Sequence, residues 1–273
     1  MSILKRLFGG AGSADPKAEA VPGPTVEDMI EQIQAAAQPC VRLTLGPGGQ
    51  SWLGGEARFL GPWPRFQGAP LTHVAHIDLA EVRAAGGPDW LPAEGHLAFF
   101  YDMASQGWGL GPEEAGCAVA IHQTGPAPSQ APPADLPQDL MIPSAPVRCE
   151  AASSYPPADR LGLNTARLKG RDYGRLEAAE EALLPSGPAH QIGGFPFPVQ
   201  ADEMEADCEQ NAPREPGRRP GDGAAEWRLL LQLDSDDRAE MAWSDSGRLY
   251  FWIREVDARA GDFTRIWTIL QSC

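Results

Sequence analysis

The chain has 273 residues, of which 42% are apolar, and a formal charge of −15 from 22 basic and 37 acidic side chains. A chain of this length can bury a substantial core, and its Gly and Pro content stays below the roughly 25–30% of low-complexity chains, so global disorder is excluded. The acidic balance repels phosphate backbones and argues against nucleic-acid binding; no run approaches the ~20 apolar residues of a membrane helix, so membrane contact is not expected.

Residues 1–24 are small, polar and Pro-rich and are expected to form a flexible leader. Lys5 and Arg6 are followed by no apolar stretch long enough for a secretory signal. A helix then begins at Thr25, a good N-cap with Asp28 three residues on. Val26, Met29, Ile30 and Ile33 make one apolar stripe, and Pro39 ends the element. Val41, Leu43 and Leu45 alternate with polar residues, and His73 to Leu79, Leu97 to Tyr101 and Cys117 to Ile121 are runs of strand length.

The segment 125–146 holds seven prolines and reads as an extended linker. A short strand follows at Val147 to Ala151, then a helix near Asp172 to Leu184. Residues 201–225 are polar and broken by Pro and Gly, which predicts a loop. Trp227 to Asp234 is a strand; Met241 and Trp243 lead through Ser244-Asp245-Ser246-Gly247 into Leu249 to Ile253, a hairpin pattern. A short helix near Glu255 to Gly261 and a strand at Arg265 to Leu270 close the chain. The fold class is therefore α+β and β-rich, mainly antiparallel, with a few short helices.

The two parts of the chain, about 40–124 and 147–273, echo one another. Each reads as a Gly-Gly turn (Gly54-Gly55, Gly193-Gly194), a strand ending in Asp (Asp78, Asp234) and a Gly-led aromatic strand. This predicts one domain over 25–273, made of two related halves joined by the linker 125–146, with a crevice between them.

The motifs His190 to Pro196, Leu229 to Asp236 and Trp243 to Phe251, with weaker matches at Gly54-Gly55, Trp63-Pro64, Ala75 to Leu79 and Leu91 to Phe100, resemble the YwqG-like family of bacterial proteins, which is built on a domain of unknown function. The resemblance covers roughly residues 50–273. It implies a β-rich fold of two related halves, no established enzymatic activity, and a role in protein binding that includes immunity against bacterial toxins.

Candidate site residues follow from residue type and position. Gly54, Gly55, Gly193 and Gly194 let the backbone adopt positive φ and admit close approach. Gln191, Gln200 and Gln232 sit among apolar strand residues, where their amides either bind the protein's own backbone or grip a ligand in the crevice. His76, Asp78 and Asp234 complete the expected binding set; His76 and Asp78 share a strand face, which suits a structural hydrogen bond or an acid–base pair. His73 and His76 point to opposite faces of a strand unless a bulge intervenes. Asp234, Asp236, Asp237 and Asp245 could gather around a hard cation or form a solvated turn.

No HExxH, GxSxG or GxxxxGK[ST] occurs. The expectation is thus a binding module without catalytic residues or cofactor, taking a basic protein (a toxin or other) or a small polar ligand; the alternative is a hydrolytic or metal-assisted enzyme using the Asp cluster. The five cysteines, Cys40, Cys117, Cys149, Cys208 and Cys273, are odd in number and widely spaced, which predicts free thiols in a reducing cytoplasm. Oligomeric state is left open by the sequence.

Overall fold

A computed structural model describes residues 23–213, 217, 219, 221 and 223–273. The leader 1–24 lies outside the described residues except for Gly23 and Pro24, as does part of the polar stretch 201–225. The first element is α1 (Val26–Ala35). The Asp28 amide donates to the Thr25 hydroxyl at 3.1 Å, and the Thr25 amide donates back to the Asp28 carboxylate at 2.8 Å, so two orphan donors of the first turn are satisfied at once. Val26, Met29 and Ile33 pack against Ala158 and Leu176.

The strands and helices that follow are β1 (Gln38–Leu45), β2 (Ser51–Leu53), β3 (Ala57–Arg58), β4 (Arg65–Phe66), β5 (Ala69–Pro70), β6 (Thr72–Asp78), α2 (Leu79–Ala84), β7 (His96–Tyr101), β8 (Ala118–Gln123) and β9 (Ser129–Gln130). After them come β10 (Ala145–Ser154), α3 (Arg171–Leu183), β11 (Gln191–Ile192), α4 (Met204–Asn211), β12 (Trp227–Asp234), β13 (Arg248–Arg254), α5 (Glu255–Arg259) and β14 (Trp267–Gln271). Among the described residues no helix is long and apolar enough to cross a membrane.

Ten strands form one sheet in the order β14-β13-β12-β11-β1-β10-β2-β6-β7-β8, with β1 and β10 paired at its centre from Gln38↔Ser154 to Leu45↔Val147. The chain parts 40–124 and 147–273 are therefore not two units stacked face to face. β10 separates β1 from β2, and β1 separates β10 from β11, so each part lends its first strand to the other. The sheet curls until its edges β8 and β14 approach each other. Phe99 and Phe251 rings meet at 5.1 Å, Tyr101 and Trp243 at 5.9 Å, and the Leu270 amide donates to the Trp108 carbonyl at 3.2 Å. The result is nearly a barrel, filled by alternating inward residues such as Leu43, Ile77, Phe99, Leu233 and Phe251.

Outside this barrel, β12 to β14 carry a second apolar layer. Trp227, Tyr250, Trp252 and Trp267 pack under Met204 and Cys208 of α4. Burial on both faces explains why these strands read as continuous apolar runs.

Three expectations are corrected. The stretch 201–225 is not all loop, because Met204 and Cys208 place their side chains one helical turn apart on this aromatic layer and α4 forms there. The hairpin partner of β13 is β12, not the Met241–Trp243 segment; Met241 instead bridges to Asp236, and Trp243 is fully buried. The Pro-rich segment is more than a linker, since Leu136 and Ile142 are buried and β9 pairs with β3.

The glycine pairs have the backbone expected of them. Gly54 and Gly55 lie at φ +59 and +67, Gly193 and Gly194 at φ +67 and +72. A Cβ on Gly193 would stand 2.4 Å from Pro88 Cγ. Gly193→Val is therefore expected to cost about 2–3 kcal/mol, from left-handed strain plus a displaced Pro88 ring. A thermal midpoint equal to that of the parent protein would refute this.

Candidate functional site

The segment that follows the second glycine pair crosses the outer face of the sheet without a strand partner. Side-chain amides supply what a neighbouring strand would. Gln191 Nε2 donates to the carbonyls of Gly193 (3.1 Å) and Phe195 (2.7 Å), and Gln232 Oε1 accepts from the Phe197 amide at 2.9 Å. Gln232 Nε2 donates to the Ala189 carbonyl at 2.6 Å, and Gln200 Nε2 to that of Ser272 at 2.7 Å. Gln271 Oε1 takes the amides of Val199 and Gln200. Three candidate binding glutamines are thus engaged with the protein's own backbone. Gln271, absent from the candidates, carried the same signal: a Gln ending an apolar strand.

Asp234 is brought to the same region. Its carboxylate accepts from the Ala189 amide at 2.8 Å and pairs with Arg248 at 3.0 Å. The Asp234 amide donates to His190 Nδ1 at 3.1 Å, which leaves the ring proton on Nε2, 3.4 Å from Asp236 Oδ2. Asp236 also pairs with Arg238 at 3.2 Å. Asp237 and Asp245 are exposed, and among the described residues no group of three or more His, Cys, Asp or Glu side chains could hold a metal ion. Asp234 and Asp236 are instead ordered by cations and amides, each carboxylate at its own partners.

His76 and Asp78 form neither the structural hydrogen bond nor the acid–base pair that a shared strand face suited. Asp78 accepts from the Glu81 amide at 3.0 Å and caps α2. His76 stacks on Trp52, ring centroids 3.8 Å apart, and lies 4.6 Å from His96. A register shift between His73 and Ala75 introduces a bulge, so His73 and His76 fall on one side with rings 6.4 Å apart. Burial, above all, pushes His76 down to about 2, aided by His96, His73 and Arg58, and pushes His73 down to about 4. His73 Nδ1 sits 2.9 Å from the Gly54 carbonyl, so it donates there and the ring stays neutral.

These buried rings set a pH dependence. Unfolded, each histidine titrates near 6.5; folded, His73 resists protonation down to about 4. Between those values the unfolded chain binds the proton that the folded chain refuses, so stability is full above about 6.5 and falls with falling pH. At about pH 5 His73 alone is expected to cost about 2 kcal/mol, with His76 acting in the same direction. Urea unfolding at neutral and mildly acid pH checks this; a flat profile would refute it.

Between the two sheet edges lies a cavity of about 610 Å³. One wall is β8, through Val119, Ile121 and His122; the other is the chain leading into β14, through Phe263, Thr264 and Ile266. The backbone of residues 107–110 closes one end of this gap. Trp108 pairs with Leu270, and the Gly109 carbonyl accepts the Trp267 indole N–H at 2.9 Å. Trp52, Trp63 and Trp108, all set among Gly and Pro, are the less buried tryptophans, and Trp108 is 40% exposed. The basic residues near the third helix are partly consumed at home: Arg160 is held by Asp202 and Glu205, and Arg175 pairs with Glu27.

A family model described as Domain of unknown function (DUF1963) matches residues 51–273. No curated protein matches the chain.

Proposed function

The chain belongs to the DUF1963 family, and from that premise we propose that it is a non-catalytic binding module which takes an extended, basic protein segment into the gap between β8 and β14. The observation that carries this reading is the edge strand β8 facing the chain that leads into β14 across a cavity of about 610 Å³. An edge strand offers a row of unpaired N–H and C=O groups, and an incoming strand satisfies them while alternate side chains fill pockets. The formal charge of −15 favours a basic partner, such as a toxin held by an immunity protein, through faster encounter.

Within the family, the YwqG-like group is the finer assignment, and a duplicated origin of the two halves goes with it. Several correspondences support duplication. β6 and β12 each carry a register shift four residues ahead of their final Asp, at Val74 and Leu230. The Asp78 amide donates to Ser51 Oγ, just as the Asp234 amide donates to His190 Nδ1. Asp78 faces His96 and Asp234 faces Arg248 in the next strand. By this account the gap lies between the last strands of two related halves, and the module works in a reducing compartment such as the bacterial cytoplasm. The hydrolytic alternative is not carried forward, because the Asp234 and Asp236 carboxylates are already held by Ala189, Arg248, His190 and Arg238.

The test is fluorescence anisotropy with labelled ten-residue peptides that alternate apolar and basic side chains. Binding is expected to weaken with salt, to vanish when alternate peptide amides are N-methylated, and to be lost in Thr264→Trp, which fills the gap from an exposed position. Peptides that bind equally well when N-methylated, or that do not bind, would overturn the proposal.

A further inference from the structure

A second cavity, of about 410 Å³, lies apart from the edge gap, on the outer face of β1. Its polar wall is made by Arg42, His190 and Arg238, and no carboxylate lines it. Arg42 stands out among these groups. It projects from β1 between the core residues Val41 and Leu43, and its guanidinium lies 5.3 Å from the centre of the Phe197 ring. Its Nη1 is buried without a hydrogen-bond partner, and no ion pair to Arg42 is present among the described residues. The cross-strand residue is Glu150, but that carboxylate is turned to Thr44 at 3.0 Å and Arg148 at 3.2 Å. Arg42 is half-buried, and the one guanidinium nitrogen that is held out of water with an empty donor is costly unless an acceptor meets it.

The charges around it leave a defined remainder. Three guanidiniums, those of Arg42, Arg238 and Arg248, are gathered with two carboxylates, Asp234 and Asp236. Asp236 is taken by Arg238 and Asp234 by Arg248. His190 adds no charge, since its Nδ1 accepts a backbone amide and burial lowers its affinity for a second proton. Arg42 is the one of these three guanidiniums without an ion pair among the described residues, with Asp234 acting on it only at a distance. We propose that this cavity is a binding site for the carboxylate of a small amphipathic acid, with Arg42 as its principal partner. A singly charged carboxylate balances that one unpaired guanidinium and matches its planar fork; a phosphate dianion carries more charge than it. Leu183 and Leu184 on the same cavity wall receive the apolar body, and the Ser186 hydroxyl stands at the rim.

The proposal is independent of the edge gap, and its test shares no residue or ligand with the peptide experiment. Calorimetric titration of the full chain with hexanoate, hexanamide and hexyl phosphate reads it. Hexanoate is expected to bind saturably. Hexanamide, of the same shape but uncharged, is expected to bind at least about tenfold more weakly, as is hexanoate to Arg42→Gln. Arg42→Lys should keep part of the affinity, and Arg238→Gln, at an exposed side chain, should weaken binding several-fold in a protein that stays folded. Equal binding of acid and amide, unchanged affinity in a folded Arg42→Gln protein, or no saturable uptake of hexanoate would each overturn the proposal. Tighter binding of hexyl phosphate than of hexanoate would overturn the charge argument and with it the assignment to carboxylates.

Discussion

Gly109→Val is expected to destabilise the protein by about 4 kcal/mol, seen as a lowered urea midpoint with an unchanged slope. Gly109 lies at φ +77, and a Cβ there would stand 1.8 Å from the Thr268 carbonyl oxygen of β14. That oxygen belongs to the backbone, so no rotamer change relieves the clash. The loop has to lift from the edge strand. Lifting it breaks the bond from the Leu270 amide to Trp108 and the bond from the Trp267 indole to Gly109, each worth about 1 kcal/mol and more where a buried donor is left without water. Left-handed strain adds about 1–2 kcal/mol. Gly125→Ala is the control: at φ +84 with nothing near its Cβ, it carries the strain alone, about 1 kcal/mol. If the two variants lose equal stability, the loop does not hold the barrel closed.

Glu209→Ala is the second large effect, also expected at about 4 kcal/mol. Glu209 is wholly buried on α4, and its Oε2 accepts from the Trp227 indole and from Arg254, each at 3.0 Å. Arg254, 3% exposed, lies with its guanidinium 4.4 Å from the centre of the Trp227 ring. Removing the carboxylate strands a buried cation and an indole donor together. Breaking one side of a buried pair costs about 3–5 kcal/mol, whereas replacing both sides by apolar groups of similar volume is often near neutral. The double variant Glu209→Leu with Arg254→Met is therefore expected to recover most of the loss. Urea unfolding of the singles and the double forms the cycle; a double variant no better than Glu209→Ala would refute the stranded cation as the source of the loss. Ala212 and Pro213, just beyond α4, line the edge gap, so Glu209→Ala should also weaken peptide capture there.

The strands and helices that rest on short-range spacing are legible before any coordinates. The capping box at Thr25 needs only two residues three apart, and it forms as written. Trp227–Asp234 shows its limits in its own apolar run, and the glycine pairs announce their positive φ. The helix α4 hides because its sequence, Met204 to Asn211, is mostly polar and one of its acids, Glu209, is buried against an arginine 45 residues away. The bulge at Val74 is equally hidden: nothing local says that His73 and His76 will share a face, since the extra residue is accommodated by the pairing with β7.

Local chemistry, then, determined which segments become strands, where they turn, and which residue types are available for binding. The tertiary structure alone decided who pairs with whom. That β1 lies between β10 and β11, that the last strands meet across a gap, that Gln191 and Gln232 spend their amides on the backbone, and that Arg42 Nη1 is buried without a hydrogen-bond partner all depend on contacts between residues far apart in the chain. Their energies come from burial and pairing summed over the closed sheet, and a window of ten or twenty residues contains none of those terms.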